Sequence, residues 1–374
     1  MSKAKGGTGT ILILGYGAAG LPTARLLLQE TDVQLILTGR NFDRLQEAVA
    51  TLQAEFAAER IEGRRLDASD AASLDAAFED CDMVLVTIPI TGIGGGIARA
   101  ALKAGIDYVD IIVDVAKERE LQDISRFVER AGGCFLTDAG IFPGTPAVLA
   151  SLAVRRLEAL TDTAVYAYIR DAYSVDSARD GVVWLGTAPC ICRDGCWRRA
   201  SFLFDARKSD FGSFGLRTCY PVYLHELRSM PAERFRSERA SVYMASVHPV
   251  IDLVGLLCSM LHLDRSERGI RLGARMIAWS TQRFAKPPLT TIIKMEAMGT
   301  KEARTQRLVV SLEHADAYVA TAISIVAALL QVLDRSARRP GVHVMGHIVD
   351  PERYLEDMER LGMKVCVSMT EVAR

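Results

Sequence analysis

The chain has no surplus of charge of either sign: 45 lysines and arginines against 46 acidic residues leave a formal −1 over 374 residues. A protein that grips nucleic acid through its phosphates needs a basic field, so this balance argues against such a partner. Long hydrophobic runs are missing as well. The longest apolar stretches, such as residues 251–263, are too short and too interrupted to span a bilayer. Residues 1–9 are small, polar and glycine-rich, with no apolar core, and are expected to form a loose tail rather than a signal peptide. No repeat and no low-complexity segment occurs. Eight cysteines are present, but no paired C-x-x-C units. Cys190, Cys192 and Cys196 lack a nearby histidine to complete a ligand set, and His343 and His347 lie in an alternating, strand-like stretch. No metal is expected. Without a secretion signal the thiols are expected to be reduced and the protein cytoplasmic.

The chain is instead rich in globular pattern, with 49% hydrophobic and 24% charged residues and a length sufficient for two domains. Its most informative segment is the first. An apolar run, Ile11-Leu12-Ile13-Leu14, leads into Gly15-Tyr16-Gly17-Ala18-Ala19-Gly20 and then an amphipathic stretch. Strand, glycine turn and helix in that order form a dinucleotide site. Gly15 permits the tight turn, Gly17 lets the backbone approach a pyrophosphate, and Gly20 lets helix and strand pack closely.

The second strand, 33–37, is followed by Thr38-Gly39-Arg40-Asn41. NAD-binding chains usually place a carboxylate here for the ribose 2′-hydroxyl, and none is present. Arg40 can pair with a 2′-phosphate and lay its guanidinium on adenine, and Thr38 can add a hydroxyl contact. The plainer reading, in which Arg40 is solvated and Asn41 caps the next helix, is compatible with phosphate binding. The expected cofactor is NADP(H).

Strands and helices then alternate: strands at 64–66, 83–88, 108–112 and 134–137, helices at 70–78, 93–103 and 116–130. Asp67 falls in the loop expected to pass the adenine. Thr87-Ile88-Pro89 falls at the strand end where open parallel sheets bind ligands. This predicts an α/β doubly wound parallel sheet. After Gly144 the pattern changes to a mixed antiparallel sheet with helices. Its signals are an Asp194-Gly195 hairpin turn and strands at 292–297 and 307–312. A helix over 319–333 and a closing strand-helix-strand follow. Residues 253–284 mix apolar residues with Arg265, Arg268, Arg271, Arg275 and Arg283. They are expected to be a helix with a solvated basic face or a dimer contact, with peripheral lipid contact the weaker reading.

Four passages resemble the saccharopine dehydrogenase-like family of NADP-binding oxidoreductases. They are the glycine turn with Thr38 to Asn41; Val86-Thr87-Ile88-Pro89 through Gly105-Ile106-Asp107-Tyr108-Val109-Asp110; Thr137-Asp138-Ala139-Gly140-Ile141-Phe142-Pro143-Gly144; and Pro340-Gly341-Val342 with Val349-Asp350-Pro351-Glu352. The resemblance implies a Rossmann domain over 1–146, an inserted α+β domain for substrate and dimerisation over 147–318, and a return of 319–374 onto the Rossmann domain. It also implies a homodimer, and hydride exchange between NADP(H) and a carbon–nitrogen bond of a small metabolite.

On that reading Thr87, Ile88, Pro89 and Gly140 line the nicotinamide site, and Asp110 and Asp138 are the candidate catalytic acids. Each acid donates a proton or stabilises an iminium, or else merely caps a turn. Tyr108 reads as core. Arg170, Arg179 and Arg193 are candidate forks for a substrate carboxylate, though most arginines are surface residues. His225 and His248 read as structural before acid–base. The alternatives to an imine reductase are an enoyl-type C=C reductase acting on an apolar acyl or natural-product intermediate, and a non-catalytic nucleotide-binding scaffold.

Overall fold

The computed structural model describes residues 9–89, 92–112, 114–202, 204–231 and 235–372; residues 1–8 of the expected tail lie outside them. The chain divides into two compact units, Met1–Gly144 with Thr321–Asp350 and Thr145–Ala320 with Pro351–Arg374. The first stretch runs β1 (Thr10–Leu14), α1 (Gly20–Glu30), β2 (Gln34–Gly39), α2 (Phe42–Glu55), β3 (Ile61–Arg65), α3 (Ala71–Phe78), β4 (Met83–Val86), α4 (Gly94–Ala104), β5 (Asp107–Asp110), α5 (Val115–Ala131) and β6 (Cys134–Thr137). The second unit follows with α6 (Thr145–Arg156), β7 (Ala159–Arg170), α7 (Val175–Leu185), β8 (Cys190–Arg193), β9 (Cys196–Arg199), β10 (Arg207–Asp210), β11 (Leu216–Pro221), α8 (His225–Arg228), β12 (Ser237–Ala245), α9 (Pro249–Met260), α10 (Glu267–Phe284), β13 (Thr290–Lys301) and β14 (Arg304–His314). The chain re-enters the first unit along α11 (Ala317–Leu333), with β15 (Gly341–Val344) and α12 (Met345–Ile348), and closes with α13 (Pro351–Arg360) and β16 (Lys364–Glu371).

In the first unit seven strands lie in the order β15-β6-β5-β4-β1-β2-β3, every described pairing parallel. Such a sheet is covered on both faces, which is why β4 reads Met-Val-Leu-Val and is buried throughout. One core layer joins Leu12, Leu14, Val84, Val86, Ile97 and Tyr108, and the Tyr108 and Phe135 rings meet at 5.3 Å. Burial of each such side chain contributes about 1.5–3 kcal/mol. The strand order reverses between β1 and β4, so their carboxyl ends open the crevice where this architecture takes its ligand.

The strands stop earlier than the apolar runs suggest. The expected strand 83–88 ends at Val86 because the Thr87 hydroxyl turns back to the Leu14 carbonyl at 2.9 Å. The expected strand 108–112 ends at Asp110, whose Oδ1 accepts the Ile112 amide at 3.1 Å.

The second unit is a nine-stranded mixed sheet, ordered β10-β11-β12-β7-β13-β14-β16, with the β8–β9 hairpin attached to β12. β7 runs parallel to β12 and antiparallel to β13. The hairpin turn is at Asp194 and Gly195, both at positive φ, as an Asp-Gly pair requires. Helices α7, α9 and α10 close their own apolar cluster around Val182, Val254, Cys258, Ile270 and Ala274. The return expected over 319–374 divides. Residues 321–350 belong to the first unit, whereas α13 and β16 belong to the second, where β16 hydrogen-bonds to β14 along eight residues.

Candidate nucleotide and active site

Where β1 ends, Gly15 turns the chain at φ +111, a region that side chains rarely enter. A Cβ on Gly15 would sit 2.7 Å from Ile88 Cγ2, and one on Gly20 would sit 2.2 Å from the Gly15 carbonyl oxygen. Both glycines are therefore packing requirements. Gly17 differs, because no described residue lies within 4 Å of where its Cβ would be, and Gly17 and Ala18 are exposed. Ala19 opens α1 with no side-chain cap, and no acid stands in the first turn. Open space beside uncapped amides at the start of an eleven-residue helix suits a pyrophosphate.

Around this turn the neighbouring loops are tied by short contacts. A Cβ on Gly39 would meet the Tyr16 ring at 2.2 Å, and the Tyr16 hydroxyl donates to the Asn41 carbonyl at 3.1 Å. Asn41 caps α2, accepting the Arg44 amide at 3.1 Å. Arg40 between them is exposed; it makes no hydrogen bond or ion pair among the described residues, and its charge helps to lower the Asp67 carboxyl. Asp67 is also exposed, and Ser69's hydroxyl (2.7 Å) and amide (3.0 Å) hold its carboxyl below the ordinary range. Thr38 corrects the expectation of a hydroxyl contact to the nucleotide: it is buried and donates to the Ile13 carbonyl at 3.0 Å, joining β2 to β1. Thr87 likewise latches the turn, Ile88 packs on the core layer, and Pro89 is exposed. Gly140 is buried in a tight turn, its amide donating to the Pro143 carbonyl at 3.0 Å.

Asp110 and Asp138 stand at the ends of neighbouring strands, and both are buried. Between them lies a residue that the sequence reading passed over. Lys117 Nζ donates to Asp110 Oδ1 at 2.6 Å, to Asp138 Oδ1 at 2.9 Å, and to the Ile112 carbonyl. Thr137 Oγ1 donates to Asp110 Oδ2 at 2.9 Å. Asp138 itself adopts φ +57. Burial works against the Lys117 charge, but attraction to the two carboxylates outweighs it and raises its pKa. The two candidate acids are thus partners of a buried ammonium. Burial and the nearby Asp110 charge also push the Tyr108 phenol well above its ordinary value, consistent with its reading as core. The missed signal was available: two acids ending adjacent apolar strands call for a cation, and Lys117 is the first one after Asp110.

Residues 11–131 match the family model described as the saccharopine dehydrogenase NADP binding domain. This segment is a saccharopine dehydrogenase-type NADP-binding domain. Its cofactor is NADP(H), in keeping with the missing acid after β2 and with Arg40. No curated protein matches the sequence. Among solved structures, apo saccharopine dehydrogenase (L-Glu forming) from Saccharomyces cerevisiae is similar at TM-score 0.69 and 13% identity, covering 98% of this chain and 100% of that one. That likeness extends the shared fold beyond the NADP-binding domain. A probable dehydrogenase from Thermotoga maritima matches at TM-score 0.48 and 10% identity (95% and 98% covered). A meso-dapdh mutant with DAP from Clostridium tetani matches at TM-score 0.47 and 12% identity (92% and 95% covered).

Outside the NADP-binding domain the remaining candidates separate. Arg179 pairs with Glu267 at 2.9 Å and Arg193 pairs with Asp205. Arg170 at the end of β7 keeps a buried Nε with no hydrogen-bond partner among the described residues. Beside it on the sheet, Thr290 pairs in register with Arg170, and its hydroxyl is also buried without a partner among the described residues. His248 is structural: it caps α9 through Nδ1 and stacks on Phe284 at 4.7 Å. His225 opens the short helix α8. Among the described residues no three metal-ligating side chains are placed to hold an ion.

Proposed function

We propose that the protein is an NADP(H)-dependent oxidoreductase that moves hydride to or from a carbon–nitrogen bond of a small metabolite. The observation that carries this reading is the open glycine turn of the NADP-binding domain with an exposed Arg40 beside it. When bound, the nicotinamide supplies the hydride, and the chain supplies orientation and exclusion of water. The match to the saccharopine dehydrogenase NADP binding domain and the fold shared with saccharopine dehydrogenase support the class of reaction without fixing the substrate. Arg170 is the proposed carboxylate fork, since a buried guanidinium nitrogen without an acceptor favours an anionic ligand. In this proposal Asp110 and Asp138 act through Lys117 to fix the ends of β5 and β6, and the proton comes from another group or from water. A homodimer and a cytoplasmic location belong to the same proposal.

The test is turnover. Reduced-nicotinamide absorbance is followed with NADPH and pairs of 2-oxoacids and amines that form imines in solution, and in parallel with enoyl acceptors. Imine-dependent oxidation of NADPH, with KM raised at least about tenfold by Arg170→Ala, supports the proposal. Turnover of enoyl acceptors alone would replace it with C=C reduction. Tight NADPH binding without turnover of any acceptor would leave a scaffold.

A further inference from the structure

Helices α9 and α10 turn an unusual amount of apolar surface to solvent, and we propose that this face docks on a membrane surface bearing anionic headgroups. Leu253, Leu256, Leu257, Met260 and Leu261 are all exposed, Met260 by 67% and Leu261 by 63%. Their spacing is that of one helical stripe. The opposite side of α9 is already used, since Val254 and Cys258 pack into the cluster with α7 and α10. A helix apolar on both sides is normally buried on both, and here one side has no cover among the described residues of its own unit.

α10 adds Leu272 (54% exposed) and Trp279 (56%) on its outer face, interleaved with exposed Arg268, Arg271, Arg275 and Arg283. The two helices adjoin. His248 at the start of α9 stacks on Phe284, and Trp279 meets the same ring edge-on at 5.8 Å. Isolated exposed leucines are ordinary, but a contiguous apolar face of this size marks an interaction site.

Charge selects the occupant. Glu267 is the exposed carboxylate of α10, and it is already held by Arg179 and lies 3.7 Å from Arg271. The outer face is therefore cationic on a chain whose net charge is −1. A second copy meeting it about a two-fold axis would bring arginines against arginines. A leaflet of anionic lipid takes the leucines and indole into the acyl boundary and the guanidiniums at headgroup level. The contact lies on the surface, because no helix among the described residues is long and apolar enough to cross a membrane.

The test is flotation of the full chain with phosphatidylcholine vesicles, with and without phosphatidylglycerol, at low and high salt. The expected result is salt-sensitive binding to the phosphatidylglycerol vesicles alone. Arg268→Ala with Arg275→Ala should weaken it roughly 25-fold, about fivefold per arginine. Leu256→Ser with Met260→Ser should weaken it by more than about tenfold. An unchanged circular-dichroism spectrum and melting temperature report that each variant is folded, the second unit included. No binding to phosphatidylglycerol vesicles, or variants that float like the parent, would overturn the proposal. So would serine variants that float unchanged but sediment as a smaller species, which would assign the face to a second copy of the chain.

Discussion

Replacing Lys117 by methionine would leave Asp110 and Asp138 at the ends of adjacent strands with no cation between them. Removing one member of a buried ion cluster exposes the desolvation cost of the others, so Lys117→Met is expected to destabilise the NADP-binding domain by about 3–5 kcal/mol in urea melts. The pH dependence has a definite sign. Because folding raises the pKa of Lys117, its contribution is complete below the ordinary lysine value of 10.5 and is lost only as pH rises beyond it. Stability measured between neutral pH and about 10 should therefore show no loss from this group; a fall in that window removed by Lys117→Met would contradict the assignment. Two glycines separate packing from ligand approach. Gly20→Ala places a methyl 2.2 Å from a carbonyl oxygen and should lower stability. Gly17→Ala meets nothing, so it should keep the melting temperature and lose NADPH affinity. At this scale the glycine turn was legible because it answers a local demand. Lys117 was not, because its partners are brought together by the pairing of β5 with β6. Thr38 misled because a hydroxyl at a strand end serves equally to tie the next strand.

Element boundaries followed the same division between local and non-local causes. β13 and β14 were visible as two separate strands, and both proved longer at each end because an uninterrupted antiparallel register from Thr291 with His314 to Lys301 with Arg304 joins them. β7 escaped notice. Its polar start, Leu-Thr-Asp-Thr, hides a central strand whose parallel partner β12 lies far along the chain. The exposed leucines of α9 were equally hidden, since an apolar run does not reveal which side the fold covers. Thiol chemistry tests the burial of these elements. Cys196 and Cys366 are exposed, whereas Cys81 and Cys134 are pushed up to about 11 and Cys219 to about 12, by burial first. Native protein at mildly alkaline pH should label rapidly at Cys196 and Cys366 and slowly at the other six, with all eight labelling in denaturant. Fast labelling at Cys81 or Cys134 would contradict the packing of the parallel sheet.

For the whole molecule, the alternation of strands and helices was enough to read the doubly wound sheet, and the change of pattern after Gly144 was enough to read a second unit. The destination of the last residues was not legible. β16 has no local signal naming β14 as its partner, and the pairing is set by a sheet assembled from segments on either side of an excursion through the first unit. The resemblance carried the nucleotide domain, where turn chemistry constrains sequence closely. It left the substrate open, because the second unit's side chains rather than its fold choose the ligand.

The central claim is that the first unit holds NADP(H) through an open glycine turn and Arg40, and titration of the protein with NADPH and NADH tests it most directly. Binding is followed through tryptophan-to-nicotinamide energy transfer in the parent and in Arg40→Ala. NADPH is expected to bind much more tightly than NADH. The variant should lose about 10- to 100-fold in NADPH affinity, as a charge-assisted phosphate contact implies, with NADH nearly unchanged. Equal affinities for the two nucleotides in both proteins would contradict it.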